Sequence, residues 1–221
     1  MNREQQFITP LHKRTKRDYV ARVTQADKAE CAEVAMRWGH DYWDGDRRYG
    51  YGGYRYDGRW KVVAQAMIDH YGLSSNARIL DVGCGKGYLL HEFKQLLPDA
   101  EVVGLDISTY ALQHAKEEVK PFLVEGNATH LPFPDNHFDL VYSVITLHNL
   151  EIFDLKKALM EMERVGKGAA YMATESYRNE REKTNLLYWQ LTCQSFFSVQ
   201  EWLWLFQSFG FSGDYEFIFF E

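Results

Sequence analysis

Ile79-Leu-Asp-Val-Gly-Cys-Gly-Lys-Gly-Tyr88 reads as a buried strand that runs into a glycine-rich turn and opens a helix. Asp81 stands at the strand's carboxyl end, and Gly83, Gly85 and Gly87 occupy alternate positions, so a ligand can lie against bare backbone. A second apolar strand, Val102-Val-Gly-Leu-Asp-Ile107, ends in another carboxylate, Asp106, roughly twenty residues beyond the glycines. An acid at that distance can accept both hydroxyls of a ribose.

The dinucleotide fingerprint, Gly-x-Gly-x-x-Gly, sets a pyrophosphate on a helix N-terminus. Here the third glycine comes one residue early and Asp81 precedes the first. A carboxylate beside the ligand disfavours a diphosphate and favours a cationic amino group. An acid followed by Gly-x-Gly-x-Gly resembles the first motif of the class I S-adenosylmethionine-dependent methyltransferases. The resemblance implies that the cofactor's methionine lies along Asp81, Gly83, Cys84, Gly85 and Gly87, with Cys84 a small filler, and that adenosine reaches toward Asp106 and Ile107.

The resemblance extends over most of residues 60 to 221. Phe122-Leu-Val-Glu-Gly-Asn-Ala128 is similar to the third strand and the loop framing adenine, which implies cofactor contacts at Asn127 and Ala128. Leu131-Pro-Phe-Pro-Asp-Asn-His-Phe-Asp-Leu-Val-Tyr142 is similar to the approach to the fourth strand. Many relatives carry an Asp where this chain has Asn127; its amide oxygen can accept the adenine amino group without charge assistance. Family members usually end in a two-stranded hairpin, whereas only one clear strand, Tyr215 to Phe220, follows Gly210. The expectation is six strands, or a seventh from an irregular segment, with the sheet edge covered by the N-terminal extension or a partner subunit.

The 221 residues, 46% hydrophobic, suffice for one core, so the chain divides into an N-terminal extension and lid, 1 to 60, and a cofactor-binding methyltransferase domain, 61 to 221. Cys31, Cys84 and Cys193 are far apart, form no metal-type spacing, and suit a reducing compartment. No apolar run approaches the roughly 20 residues that span a membrane, and Met1-Asn-Arg-Glu-Gln-Gln lacks a signal-peptide apolar region, so a cytoplasmic location is expected. Net charge is −6, yet residues 1 to 60 carry twelve Lys and Arg against nine Asp and Glu. Their cluster Lys13, Arg14, Lys16, Arg17 reads as a solvated amphipathic helix in preference to a nucleic-acid contact.

Residues 1 to 25 read as a polar arm, followed by a helix within Gln25 to Gly39 and another from Trp60 to His70. Strands are expected near 78–82, 101–105, 121–125, 138–143, 169–174 and 214–220, and helices near 86–97, 109–118, 152–164 and 198–209. Such alternation specifies a Rossmann-like, doubly wound, mostly parallel α/β sheet with helices on both faces and ligands at the strands' carboxyl ends.

Catalytic candidates therefore sit after strands four and five. His148 is a candidate base, against the alternative that it caps its loop. Glu175 is a second candidate base, with Tyr177 and Arg178 as substrate contacts and Arg178 as an anion clamp; the alternative is a helix-capping, solvent-exposed turn, given the charged run Asn179-Glu-Arg-Glu-Lys183. In Asp41 to Trp60, seven aromatics stand among five glycines, which suits a lid in which Tyr54 and Tyr56 meet substrate and Arg59 meets the cofactor's carboxylate; the alternative is a structural hairpin. Tyr188, Trp189 and Thr192 are either pocket walls, an apolar homodimer surface, or core beside Trp202, Trp204 and Phe206.

The leading reading is methyl transfer from S-adenosyl-L-methionine to a small polar metabolite, at oxygen, such as a sugar or anionic sugar derivative. The segments Tyr54 to Trp60 and Ser176-Tyr-Arg-Asn179 look similar to methyltransferases of bacterial surface-polysaccharide gene sets. Methylation of RNA or protein, a nicotinamide-dependent reductase and a non-catalytic nucleotide-binding scaffold are the alternatives. The acidic body discourages the first; Asp81 and the early third glycine oppose the second; intact Asp81 and Asp106 oppose the last.

Overall fold

A computed structural model describes residues 3 to 221; Met1 and Asn2, where the leader reading begins, lie outside the described residues. Six strands, β1 (Arg78–Val82), β2 (Glu101–Asp106), β3 (Leu123–Glu125), β4 (Leu140–Val144), β5 (Ala170–Glu175) and β6 (Asp214–Ile218), form one sheet in the order β3-β2-β1-β4-β5-β6. Every pairing is parallel. The C-terminal hairpin of the resembling family is replaced by a single strand that pairs directly with β5, for example Met172 with Tyr215.

The strands are buried on both faces, as an all-parallel sheet requires. Side chains alternate between two cores. Leu80, Val141 and Met172 face one layer, supplied by α8 (Ile152–Val165) and α10 (Val199–Phe209). Ile79, Tyr142 and Tyr171 face the other, supplied by α5 (Lys61–Tyr71) and α6 (Tyr88–Leu96). Helix α8 presents Leu155, Ala158, Leu159, Met162 and Val165, a one-sided stripe at helical spacing. Helix α10 starts at a capping box, Ser198 with Glu201, and stops at Gly210, whose φ of 74° only glycine adopts cheaply. Trp202 and Phe206 of α10 are core, whereas Trp204, expected beside them, is exposed on the helix's outer face.

Residues 3 to 25 depart most from expectation. Instead of a polar arm they form α1 (Thr9–His12) and α2 (Tyr19–Thr24), folded against the sheet and α9 (Glu180–Trp189); the helix expected within Gln25 to Gly39 is α3 (Lys28–Ala35), and α4 (His40–Trp43) follows it. The start of the chain covers the edge of β6: Gln5 N–H donates to Tyr215 O at 2.8 Å and Tyr215 N–H to Arg3 O at 3.0 Å. The buried carboxylate of Glu216 accepts N–H donors from Phe7, Ile8 and Thr9, at the amino end of α1, and the hydroxyl of Tyr171. A buried charge without a countercharge is tolerable when donors surround it this fully. No amphipathic helix forms at 13 to 17, because α1 ends at His12 and Arg17 turns inward.

The helix expected over 109–118 is the shorter α7 (Thr109–Gln113). The helix-capping alternative for the segment after Ser176 agrees with the structure: the charged run opens α9, Asn179 caps it by accepting from Glu182 N–H, and Glu180 and Glu182 complement the helix's amino end.

Candidate functional site

A single cavity of about 570 Å³ lies at the carboxyl ends of β1, β2, β4 and β5, a size suited to a nucleoside ligand with a second small molecule. The glycine-rich turn forms one end of it. Gly83 and Gly85 have φ of 83° and 54°, and added Cβ atoms would meet Thr146 at 2.1 Å and Trp43 at 2.7 Å, so the turn is possible only without side chains. Gly87 lies off the cavity and caps α6.

Asp81 and Asp106 line this end, 4% and 8% exposed, and neither meets a Lys or Arg in an ion pair among the described residues. Burial pushes the Asp81 carboxyl up to about 8, with Asp106 adding like-charge repulsion and the Tyr142 hydroxyl opposing the shift. Burial also raises Asp106, against N–H donors from Ser108 at 2.8 Å and Gly85 at 2.7 Å. Two buried acids without a cation fit a ligand that brings positive charge. Cys84, Ile107, Asn127 and Ala128 line the same end. The Asn127 amide oxygen, expected to meet adenine, instead accepts from Thr129 N–H and Oγ1 at 2.9 and 3.0 Å, and is spent within its own loop.

The N-terminal segment is tied to this turn. Buried Lys86, inside the glycine motif, donates to both oxygens of Asp44 at 2.7 Å and to Tyr54 O at 3.0 Å. Trp43 packs over Gly85 and its indole N–H donates to Ser108 Oγ at 2.9 Å. Tyr54 and Arg59 line the cavity, although Arg59 is forked onto Asp57. Tyr56 does not line it; its hydroxyl donates to Glu92 at 2.6 Å. The Lys86 and Asp44 anchor was missed because the sequence reading treated Lys86 only as a spacer between glycines.

At the other end, β4 and β5 deliver His148 and Glu175, 2% and 3% exposed, with Nε2 and Oε2 3.6 Å apart. Ile145, a β-branched residue at φ of 52°, marks strained backbone just before His148. Burial pushes His148 down to about 3 and Glu175 up to about 8, so in the ligand-free protein the pair stands neutral, an unprotonated imidazole beside a protonated carboxyl. His148 Nδ1 and Glu175 Oε2 are buried without hydrogen-bond partners, while Glu175 Oε1 accepts from Gln190. Cys193 joins them: the three ligand atoms lie within 4.8 Å of one another, a set able to hold a metal ion, although their sequence spacing showed no such cluster.

Trp189 and Thr192 line this end, while Tyr188 lies outside the lining and is exposed. Tyr177 and Arg178 also lie outside the cavity, contrary to expectation. The chain leaves β5 at Glu175 and turns away: Tyr177 bridges to Ser198, and Arg178 pairs with Glu182 and with Glu221 at 2.7 Å.

The parallel sheet, the acid-bearing glycine turn and the cavity at the strand ends define a nucleoside-type cofactor site of the methyltransferase kind. Residues 80–174 match the family model described as a methyltransferase domain. It is 40% identical over 119 residues to demethylmenaquinone methyltransferase of Lactiplantibacillus plantarum, covering 50% of this chain and 48% of that protein. It is 37% identical over 106 residues to the ubiquinone/menaquinone biosynthesis C-methyltransferase of Hahella chejuensis, covering 44% and 42%. The matches thus span about half the length of these relatives or less. Among solved structures, YcgJ protein from Bacillus subtilis shares the fold at a TM-score of 0.56, with 24% identity over 66% of each chain. A Bacillus halodurans protein described as a candidate methyltransferase gives 0.55 and 20%, covering 66% of this chain and 68% of that one. Among the described residues no helix is long and apolar enough to cross a membrane.

Proposed function

We propose that the protein methylates an oxygen atom of a small polar acceptor held between the glycine turn and the His148–Glu175 pair. The observation that carries this reading is the continuity of the cavity, which joins the buried acids of the cofactor motif to that pair without an intervening wall. S-adenosylmethionine, when bound, supplies an electrophilic methyl group on a sulfonium. Asp81 and Asp106 hold the cofactor's cationic and ribose parts, and Tyr54, Trp43 and Trp60 shield them from water. His148, backed by Glu175, takes the proton that the acceptor's hydroxyl releases. Within the extension, the segment from Trp38 to Trp60 acts as a lid over the domain of residues 61 to 221.

The test is turnover with hydroxyl-bearing acids and sugars, following S-adenosylhomocysteine release in the wild type and in His148→Ala. Product formation by the wild type, lost in the variant at unchanged cofactor affinity, supports the reading; equal activity of the two proteins overturns the base assignment. A second reading comes from the relatives, whose names point to carbon methylation of a quinone precursor. A naphthol acceptor offered in the same assay separates the two.

A further inference from the structure

Three arginines from separate parts of the N-terminal segment converge on one ring. The guanidinium carbons of Arg17, Arg22 and Arg47 lie 5.4, 5.4 and 5.2 Å from the centre of Trp189, and all four residues line the cavity. None of the three forms an ion pair with a carboxylate among the described residues. Their donors go to neutral acceptors: Arg17 to Thr15 O and His12 Nδ1, Arg22 to Arg47 O and Trp189 O, Arg47 to Gly50 O. Arg17 Nε is buried with no partner at all. His12 adds no fourth cation, since burial and Arg17 itself push it down to about 4, and it stands as a neutral acceptor.

Placing three cations around one indole without an anion is costly, because each guanidinium raises the energy of the others. Arginine's planar fork and weak hydration suit it to carboxylate and phosphate, and an aromatic face steadies it in that task. Arg17 lies near enough to Glu175 for the two to act on each other electrostatically, and all three arginines share the cavity with His148. From this geometry we infer that the acceptor carries an oxyanion, a carboxylate or a phosphate, which docks among Arg17, Arg22 and Arg47 and leaves its hydroxyl beside His148. This deepens the methyltransferase reading and rests on it.

The experiment is calorimetric titration of the full chain, saturated with S-adenosylhomocysteine, with inorganic phosphate and with glycolate, using ethylene glycol as the uncharged counterpart. Binding of either anion, weakened about tenfold or more in Arg47→Gln and in Arg17→Gln, unchanged in the off-cavity control Lys16→Gln, and absent for ethylene glycol, is expected. No anion binding, or binding indifferent to Arg17 and Arg47, overturns the inference while saturation with S-adenosylhomocysteine leaves the cofactor reading standing. Failure of S-adenosylhomocysteine to bind the wild type overturns that reading instead. Loss of S-adenosylhomocysteine affinity in Arg47→Gln, with anion affinity kept, would assign the arginine to the cofactor's own carboxylate and also overturn the inference.

Discussion

The two ends of the cavity carry opposite kinds of ionisable group, neither paired with a countercharge, and are built from different material. The acid end, Asp81 and Asp106, hangs on the carboxyl ends of two central strands, whose backbone is fixed by pairing on both sides. The basic end, Arg17, Arg22 and Arg47, hangs on short helices and turns of the N-terminal segment and meets only at Trp189 of α9. The contrast teaches that the cofactor's place is set by the sheet, whereas the acceptor's place depends on how that segment docks. His148 and Glu175, opposite the acid end and with Glu175 near Arg17, form the junction at which transfer is proposed.

The largest break in this comparison should come at the junction. His148→Ala should lower turnover by about 10²- to 10⁴-fold, the range for losing a positioned base, with cofactor affinity nearly unchanged in a calorimetric titration. Equal loss of both would give His148 a packing role. Next, Asp44→Ala strands the buried ammonium of Lys86 and should cost about 3 kcal/mol of stability by denaturant unfolding; a cost near zero would show that the N-terminal segment docks without this anchor. Asp106→Ala should weaken S-adenosylmethionine binding by about 1 to 3 kcal/mol, and unchanged binding would sink the ribose contact.

The smallest effects are in pH. A folded-state carboxyl at about 8 keeps a proton that the unfolded chain releases near pH 4, so Asp81 and Glu175 lose stability for the protein as pH rises toward 8. His148, held down at about 3, works oppositely and only below its ordinary value of 6.5. Between pH 6.5 and 8 the carboxyls act alone, so the melting temperature of the ligand-free protein should fall by a few degrees, and less so in Asp81→Asn or Glu175→Gln. Turnover should rise over the same interval as the pair gives up its proton, and Glu175→Gln should remove that rise. A flat profile in the wild type would mean the pair does not serve as base.

The acid end was legible in the sequence because its groups belong to contiguous strand-turn segments, and the parallel sheet then dictates where His148 and Glu175 point. Reading past Glu175 to Tyr177 and Arg178 failed because Ser176 binds Phe197 O and pulls the chain away from the opening. The basic end was not legible: Arg17, Arg22 and Arg47 share no motif, Arg17 sat in what looked like a solvated cluster, and only tertiary docking brings them to Trp189. Asn127 illustrates a finer limit: its place in the cavity lining followed from the strand-loop pattern, but the local hydrogen bonds its amide oxygen accepts from Thr129 did not.

The stitch between Phe7, Ile8 and Thr9 and the carboxylate of Glu216 spans 207 to 209 positions of the chain. During synthesis those first residues leave the ribosome long before their acceptor exists, and domains assemble as their parts emerge. The central strands of the cofactor half can pair while the opening segment still waits, so the acceptor half is completed last. A chain stopped short of Glu216 would retain the glycine turn and both acids yet leave Phe7, Ile8 and Thr9 without the carboxylate that holds them.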